Sequence, residues 1–116
     1  MNTRIKKIIL MLSIVLSISL TACAAPLTDS DFVGKWQSTK LSTPLFLHGN
    51  GEWEIKTGDD TVLQYGVWRY ENHKFIWTVK IDNSFQHDAN EVLAFSRREF
   101  QLREGDGSVT TFMKLD

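Results

Sequence analysis

The sequence predicts an all-β domain: a small antiparallel barrel of eight strands in up-and-down order. Apolar and polar residues alternate strictly in segments such as Glu52-Trp53-Glu54-Ile55-Lys56, which is typical of a strand with one buried face. Turn-forming residues recur about every 8–12 residues, the spacing of a chain built from hairpins. The chain also holds 4 Trp, 7 Phe and 2 Tyr, enough large rings to close the core of a short domain.

Eight segments have the composition and length of strands. They comprise residues 32–40, 45–48, 52–56, 62–71, 74–81, 91–96, 99–103 and 109–115. Asn50-Gly51 indicates a tight hairpin, since both central residues of such a turn must adopt positive φ. Residues 82–90 are rich in acidic and amide side chains and are predicted to form the longest loop. Because the other connections are short, consecutive strands should pair, and closing the first strand on the last removes the exposed edges. An open β-sandwich and another type of small barrel are the alternatives.

A short motif occurs twice among these strands. Gly34-Lys35-Trp36 lies in the first predicted strand, and Gly66-Val67-Trp68 repeats the pattern in mid-chain. The motif resembles the Gly-x-Trp signature of lipocalins and of the smaller lipocalin-like bacterial domains, although the Thr-Asp-Tyr-like segment of full lipocalins is absent. The resemblance implies that Trp36 plugs one end of the barrel under a basic side chain, for which Arg103 and Lys114 are the candidates. A glycine before a tryptophan also has a simpler explanation, since it lets a large ring lie across the strand.

The aromatic residues of the central strands are the candidate ligand-binding residues. An eight-stranded barrel is just wide enough to be filled by side chains or to hold one small ligand. The number of rings favours a filled interior. If a shallow lumen remains, we expect Trp53, Trp68, Tyr70 and Trp77 to supply its stacking and apolar walls.

The first 23 residues have the pattern of an export signal. Arg4, Lys6 and Lys7 precede the apolar run 8–20, which is shorter than the roughly 20 residues that span a bilayer. The run ends in Leu20-Thr21-Ala22-Cys23, which resembles the lipobox of bacterial lipoproteins. The resemblance implies a signal peptide at residues 1–22, a lipidated tether at 23–30 and a barrel domain at 31–116. An ordinary secretory signal and an uncleaved anchor are the alternatives.

The same resemblance implies a location. Cys23 would become the mature N-terminus and carry acyl chains, palmitate among them, and two or more such chains hold a protein durably on a membrane. Residue 24 is Ala rather than Asp, which in diderm bacteria implies sorting to the outer membrane, with the domain facing the periplasm. A monoderm host would instead display the protein on the outer face of its single membrane.

Charge and side-chain chemistry argue against several function classes. Without residues 1–22 the chain has 10 basic and 14 acidic residues, and the basic ones are scattered, so we expect no nucleic-acid-binding face. His48, His73 and His87 fall in predicted turns or loops without the spacing of a metal site. No serine has a neighbouring base, and Cys23 is the only cysteine. The sequence therefore predicts a protein that is not an enzyme and has no cofactor or metal.

Two functions fit these observations. The leading hypothesis is a membrane-anchored lipoprotein whose barrel binds a small apolar or amphipathic molecule. The alternative is a protein-interaction lipoprotein (an inhibitor, an immunity factor or an accessory of envelope assembly) that acts through its outer face and loops. In that case Phe85, Arg97 and Arg98 are the candidate contact residues.

Overall fold

The chain folds into a closed antiparallel β-barrel of eight strands in the computed structural model, which describes residues 26–115. The strands are β1 (Gly34–Ser38), β2 (Leu45–Leu47), β3 (Glu52–Lys56), β4 (Val62–Glu71), β5 (Lys74–Ile81), β6 (Ser84–Phe95), β7 (Glu99–Arg103) and β8 (Val109–Leu115). One turn of 3₁₀ helix, Asp29–Phe32, precedes β1. The predicted signal peptide and Cys23 lie outside the described residues.

Each strand pairs with its neighbours in sequence, and β1 pairs with β8 to complete the circle. The closing register runs from Lys35 opposite Leu115 to Ser38 opposite Phe112. The predicted fold class, an all-β eight-stranded up-and-down barrel of lipocalin-like type, is confirmed. Closure leaves neither the first nor the last strand as a free edge of the sheet.

The prediction of a long loop at residues 82–90 is wrong. These residues belong to a tight hairpin, in which Ile81 pairs with Ser84 and β6 continues without a break to Phe95. Asp82 occupies the turn with φ of 56°, a conformation that Asp and Asn tolerate better than most residues. The polar composition arises because this end of β6 is exposed to solvent on both faces, so its side chains need not alternate in polarity.

The barrel has two ends of different character. The end that carries the 3₁₀ helix and the β2–β3, β4–β5 and β6–β7 turns is called the closed end. The open end carries the β1–β2, β3–β4, β5–β6 and β7–β8 turns. The two ends alternate along the chain because every strand reverses direction.

Aromatic rings fill the closed end. Phe32 is fully buried there, with the rings of Tyr70, Phe95 and Phe100 centred 5.0–5.2 Å from its own and Phe75 at 5.3 Å. Most of these pairs are edge-to-face, the arrangement that aromatic quadrupoles favour. The predicted filled interior therefore occupies this half of the barrel.

Trp36 plugs the same end, as the Gly-x-Trp resemblance implies. Its indole is fully buried, and Nε1 donates a hydrogen bond to the carbonyl of Phe32 at 2.9 Å. The covering basic residue is Lys114, whose Nζ lies 5.2 Å from the ring centre of Trp36 and donates to the Val33 carbonyl at 3.2 Å. Of the two candidates from the sequence, Lys114 has this role.

At both motif glycines a side chain would collide with neighbouring atoms. Gly34 has φ of 150°, and a Cβ there would lie 2.8 Å from Cε of Lys114. A Cβ on Gly66 would lie 2.6 Å from Nε1 of Trp53 and closer still to the Thr78 carbonyl oxygen. The missing side chain at Gly66 thus admits a large ring, but the ring is that of Trp53 on the paired strand and not that of Trp68.

Residues just before position 31, the predicted start of the barrel domain, also contact the barrel. Leu27 packs against the core, and the Asp29 carboxylate accepts a hydrogen bond from the Tyr70 backbone at 3.2 Å. The carboxylate of Asp31 accepts a bond from the Thr28 backbone, which caps the 3₁₀ helix. Residues 27–31 thus pack with the barrel, at the closed end.

Candidate ligand cavity

A cavity of about 320 Å³ opens at the open end of the barrel. Its wall is formed by inward-facing positions on all eight strands, at the half of each strand that the aromatic plug does not reach. The lining residues are Ser38, Lys40, Leu41, Leu45, Trp53, Ile55, Gln64, Trp77, Val79, Asp88, Asn90, Leu102, Glu104, Thr110 and Phe112. Small-ligand pockets in proteins typically measure 300–1,000 Å³, so this cavity suits a small molecule.

Two indoles and a phenyl ring supply the aromatic part of the wall. Trp53 and Trp77 meet edge-to-face, with ring centres 5.8 Å apart and planes at 86°. Phe112 lies 6.3 Å from Trp77 and stacks on Phe100 of the closed end at 4.6 Å. The rings of the cavity are thus braced by the aromatic plug beneath them, which holds this wall in one arrangement.

Strand β6 contributes a buried amide and a carboxylate to the cavity wall. Asn90 is 1% exposed, and its Nδ2 donates to the Asp88 carbonyl at 3.2 Å. Its Oδ1 is buried and has no hydrogen-bond partner among the described residues. Asp88, two residues away on the same inward face, is exposed at the mouth of the cavity. A buried acceptor without a partner costs about 1–3 kcal/mol, and such a cost calls for an explanation.

An ion pair lies at the mouth of the cavity. Lys40, after β1, pairs with Glu104, after β7, and Thr110 donates to the same carboxylate at 2.5 Å. Burial alone would raise the pKa of Glu104, but the hydrogen bonds from Lys40 and Thr110 outweigh it and lower that pKa below its ordinary value. The hydrogen bond to Glu104 in turn raises the pKa of Lys40. Both groups are therefore charged at neutral pH.

The four residues predicted from the sequence divide between the two ends. Trp53 and Trp77 line the cavity. Trp68 stacks on Phe75 at 5.2 Å, and Tyr70 lies beside Phe32, so both belong to the closed end. All four side chains face the inside of the barrel, but of these four only Trp53 and Trp77 belong to the cavity lining of the described residues.

The sequence prediction missed the polar residues of the wall. The sequence predicts a loop at Asp88 and Asn90, and Lys40, Glu104 and Thr110 belong to no recognisable motif. A signal was available for Asn90, because the alternation of Asp88, Asn90 and Val92 continues into the predicted strand at 91–96. Recognising it would have required accepting polar side chains on an inward face.

A second opening, the outer groove, lies between β4 and β5. These strands pair from Glu71 opposite Lys74 to Val67 opposite Thr78, and the pairing ends there although both strands continue. The groove measures about 1,000 Å³, and its lining includes Leu63, Tyr65, Val67, Lys80, Ile81 and Phe85. Tyr65 is 73% exposed and Phe85 67% exposed. The lining of the groove also includes Trp53, Gln64 and Val79, which line the cavity as well.

The other residues considered for contacts are dispersed. Phe85 stands on β6 opposite Lys80, not at a loop tip. Arg97 and Arg98 lie in the β6–β7 turn at the closed end, away from the outer groove. His87 forms a hydrogen bond with Thr78 at 2.8 Å, and His48 one with Glu54 at 2.6 Å. Within residues 26–115, no cluster of three or more metal-ligating side chains occurs, and no helix of this part is both long and apolar enough to cross a membrane.

Comparison with known protein families, with curated proteins and with solved structures finds no match to this chain.

Proposed function

We propose that the protein is a lipoprotein of the bacterial cell envelope, anchored in the outer membrane through acyl chains on Cys23, whose barrel binds a small apolar or amphipathic molecule without catalysis. The observation that carries the binding function is the cavity of about 320 Å³, walled by Trp53, Trp77 and Phe112. The lipobox-like segment Leu20-Thr21-Ala22-Cys23 supports the anchor.

The position of Leu27 in the chain supports an orientation of the barrel on the membrane. Only three residues separate Cys23 from Leu27, and a chain of that length spans about 13 Å when extended. Leu27 packs at the closed end. An acylated Cys23 would therefore hold the closed end next to the bilayer, with the open end towards the periplasm. A ligand would enter from the aqueous side.

Filling the cavity tests the binding function. Val79→Phe places a ring in the cavity wall, and 1-octanol, a neutral amphipath of matching size, serves as the probe. We expect calorimetry to detect saturable octanol binding to the Cys23→Ser mature chain and at least a tenfold loss with Val79→Phe. Val109→Phe, which adds the same ring at an exposed position, should bind octanol like the parent. Equal binding by the parent and Val79→Phe would place the probe elsewhere and contradict the proposal.

Metabolic labelling tests the anchor separately. The full chain should incorporate radioactive palmitate and sediment with the outer membrane. Cys23→Ser should remain unlabelled and appear in the soluble periplasmic fraction. A labelled Cys23→Ser chain would contradict acylation at this residue.

The outer groove favours a second candidate function, the docking of an extended segment of a partner protein. The facing edges of β4 and β5 diverge beyond Val67 and Thr78, and an added strand can use backbone groups at such an edge. The exposed Tyr65 and Phe85 would give side-chain contacts. The protein would then act as an inhibitor, an immunity factor or an accessory of envelope assembly.

Site-specific photo-cross-linking in native membranes separates the two candidates. A photoreactive residue at position 65 should capture one defined partner peptide if the groove docks a strand. The same residue at position 113, exposed on β8, is the matched control. Capture at both positions, or at neither, would remove the support for this second function.

A further inference from the structure

Two buried polar atoms of the lining residues have no hydrogen-bond partner among the described residues: the acceptor Oδ1 of Asn90 on β6, and the donor Nε1 of Trp53, which lies against Gly66 of β4. The amide nitrogen of Asn90 donates to the Asp88 carbonyl, whereas Oδ1 of the same side chain is buried and accepts no hydrogen bond. The Asp88 carboxylate adds a negative charge on the same inward face. A ligand that brings donors would satisfy both Asn90 Oδ1 and the Asp88 carboxylate.

The charges of the wall also favour a ligand that brings donors, and in particular one with a positive charge. Lys40 is the only basic residue among the described lining residues, and it is paired with Glu104. The pair is neutral overall, so Asp88 leaves the cavity with an excess negative charge. Asp88 also stands directly opposite Trp77 in the β5–β6 register, and an aromatic face attracts cations. A carboxylate head, by contrast, would meet Asp88 without a free cation in the described wall.

The size of the cavity limits the apolar part of the ligand. A volume of about 320 Å³ has room for about ten non-hydrogen atoms, if each occupies the ~30 Å³ of a water molecule in the liquid. That suits a single ring system or a short alkyl chain.

From these observations we propose that the cavity binds a small amphipathic amine, with its apolar body against Trp53, Trp77 and Phe112 and its ammonium or N–H group at Asp88 and Asn90. This inference rests on the proposed binding function and names its ligand class. An ammonium group between the Asp88 carboxylate and the Trp77 ring would interact with both of them and donate a hydrogen bond to Asn90. An alcohol of equal length can donate a hydrogen bond but lacks the charge that attracts the carboxylate and the ring.

Three probes of matched length test the head-group preference: octylamine, 1-octanol and octanoate. The described residues 26–115 contain the whole closed barrel, so calorimetry uses the mature chain with Cys23→Ser at neutral pH and moderate salt. We expect octylamine to bind about tenfold more tightly than octanol and octanoate to bind most weakly. Equal affinities, or tighter octanoate binding, would overturn the amine inference while leaving the binding function in place. Binding by none of the three would overturn both.

Two substitutions locate the head group. Asp88→Asn removes the charge at an exposed position and should reduce octylamine binding to the level of octanol. Asp60→Asn is the matched control, since it removes the same charge at the open end but outside the cavity wall, and should keep the preference. Asn90→Leu should weaken both octylamine and octanol if the variant folds. An unchanged preference in Asp88→Asn would overturn the proposed head-group site, whatever the result at Asn90.

Discussion

The closed and open ends of this barrel are built from the same eight strands but do different things. At the closed end, Phe32 is surrounded by rings, and the indole nitrogens of Trp36 and Trp68 both donate to backbone carbonyls, at 2.9 and 3.0 Å. At the open end, the rings of Trp53 and Trp77 border a cavity, and Asn90 Oδ1 has no partner. Complete packing favours stability, whereas incomplete packing leaves room for a ligand. One barrel thus separates these two requirements along its axis.

The largest expected effect on stability comes from a substitution that disrupts the packing of the closed end. Phe32→Ala removes a fully buried ring that contacts the rings of Tyr70, Phe95 and Phe100. Such a truncation should lower the free energy of unfolding by about 3–5 kcal/mol, measured by urea denaturation. Leu41→Ala at the half-exposed rim of the open end should change it by less than about 0.5 kcal/mol. A loss below about 1 kcal/mol for Phe32→Ala would contradict the role of the plug.

A smaller effect is expected where the two ends meet. In Gly66→Ala the new Cβ would collide with the Trp53 indole and the Thr78 carbonyl, and overpacking of this kind costs about 1–3 kcal/mol. Because Trp53 lines the cavity, octanol binding should weaken as well. Gly58→Ala meets nothing within 4 Å and should be neutral or slightly stabilising, since alanine restricts the unfolded chain. Equal urea midpoints for the two variants would refute the steric argument.

The smallest effect concerns the ion pair at the mouth. The folded pKa of Glu104 is lowered, so its stabilising contribution is present in full above the ordinary glutamate pKa of 4.5 and is lost as the pH falls through the lowered value. Glu104→Gln should therefore lower the urea midpoint slightly at pH 7, by less than Gly66→Ala does. The difference from the parent should shrink in acid. A difference that grows as the pH falls would contradict a lowered pKa of Glu104.

The sequence was sufficient for the fold class and for the inward-facing side chains of the segments predicted as strands. Strict alternation predicts Trp53 and Ile55 on one face, and the predicted turn at Asn50-Gly51 joins β2 to β3, although Gly51 has positive φ and Asn50 does not. Alternation has a period of two and carries no information about height along the barrel axis. Trp68 and Trp77 both face inwards and are opposite each other in the register, yet Trp68 stacks in the plug and Trp77 borders the cavity.

The polar wall was harder to predict than the apolar one. Residues 82–90 have the composition of a loop because β6 projects beyond the packed part of the barrel. Asp88 and Asn90 face inwards, where a filled core would not tolerate them. They are accommodated because the open end has a cavity, and its presence depends on how all eight strands pack.

The tryptophan side chains permit the most direct test of the division between the two ends. The chain has 4 Trp, two at each end, and each indole N–H gives one signal in a ¹H–¹⁵N NMR spectrum. Titration with octylamine should shift the signals of Trp53 and Trp77 in a saturable way and leave those of Trp36 and Trp68 in place. Equal shifts at both ends, or shifts of Trp36 and Trp68 alone, would contradict a binding end set apart from a structural one.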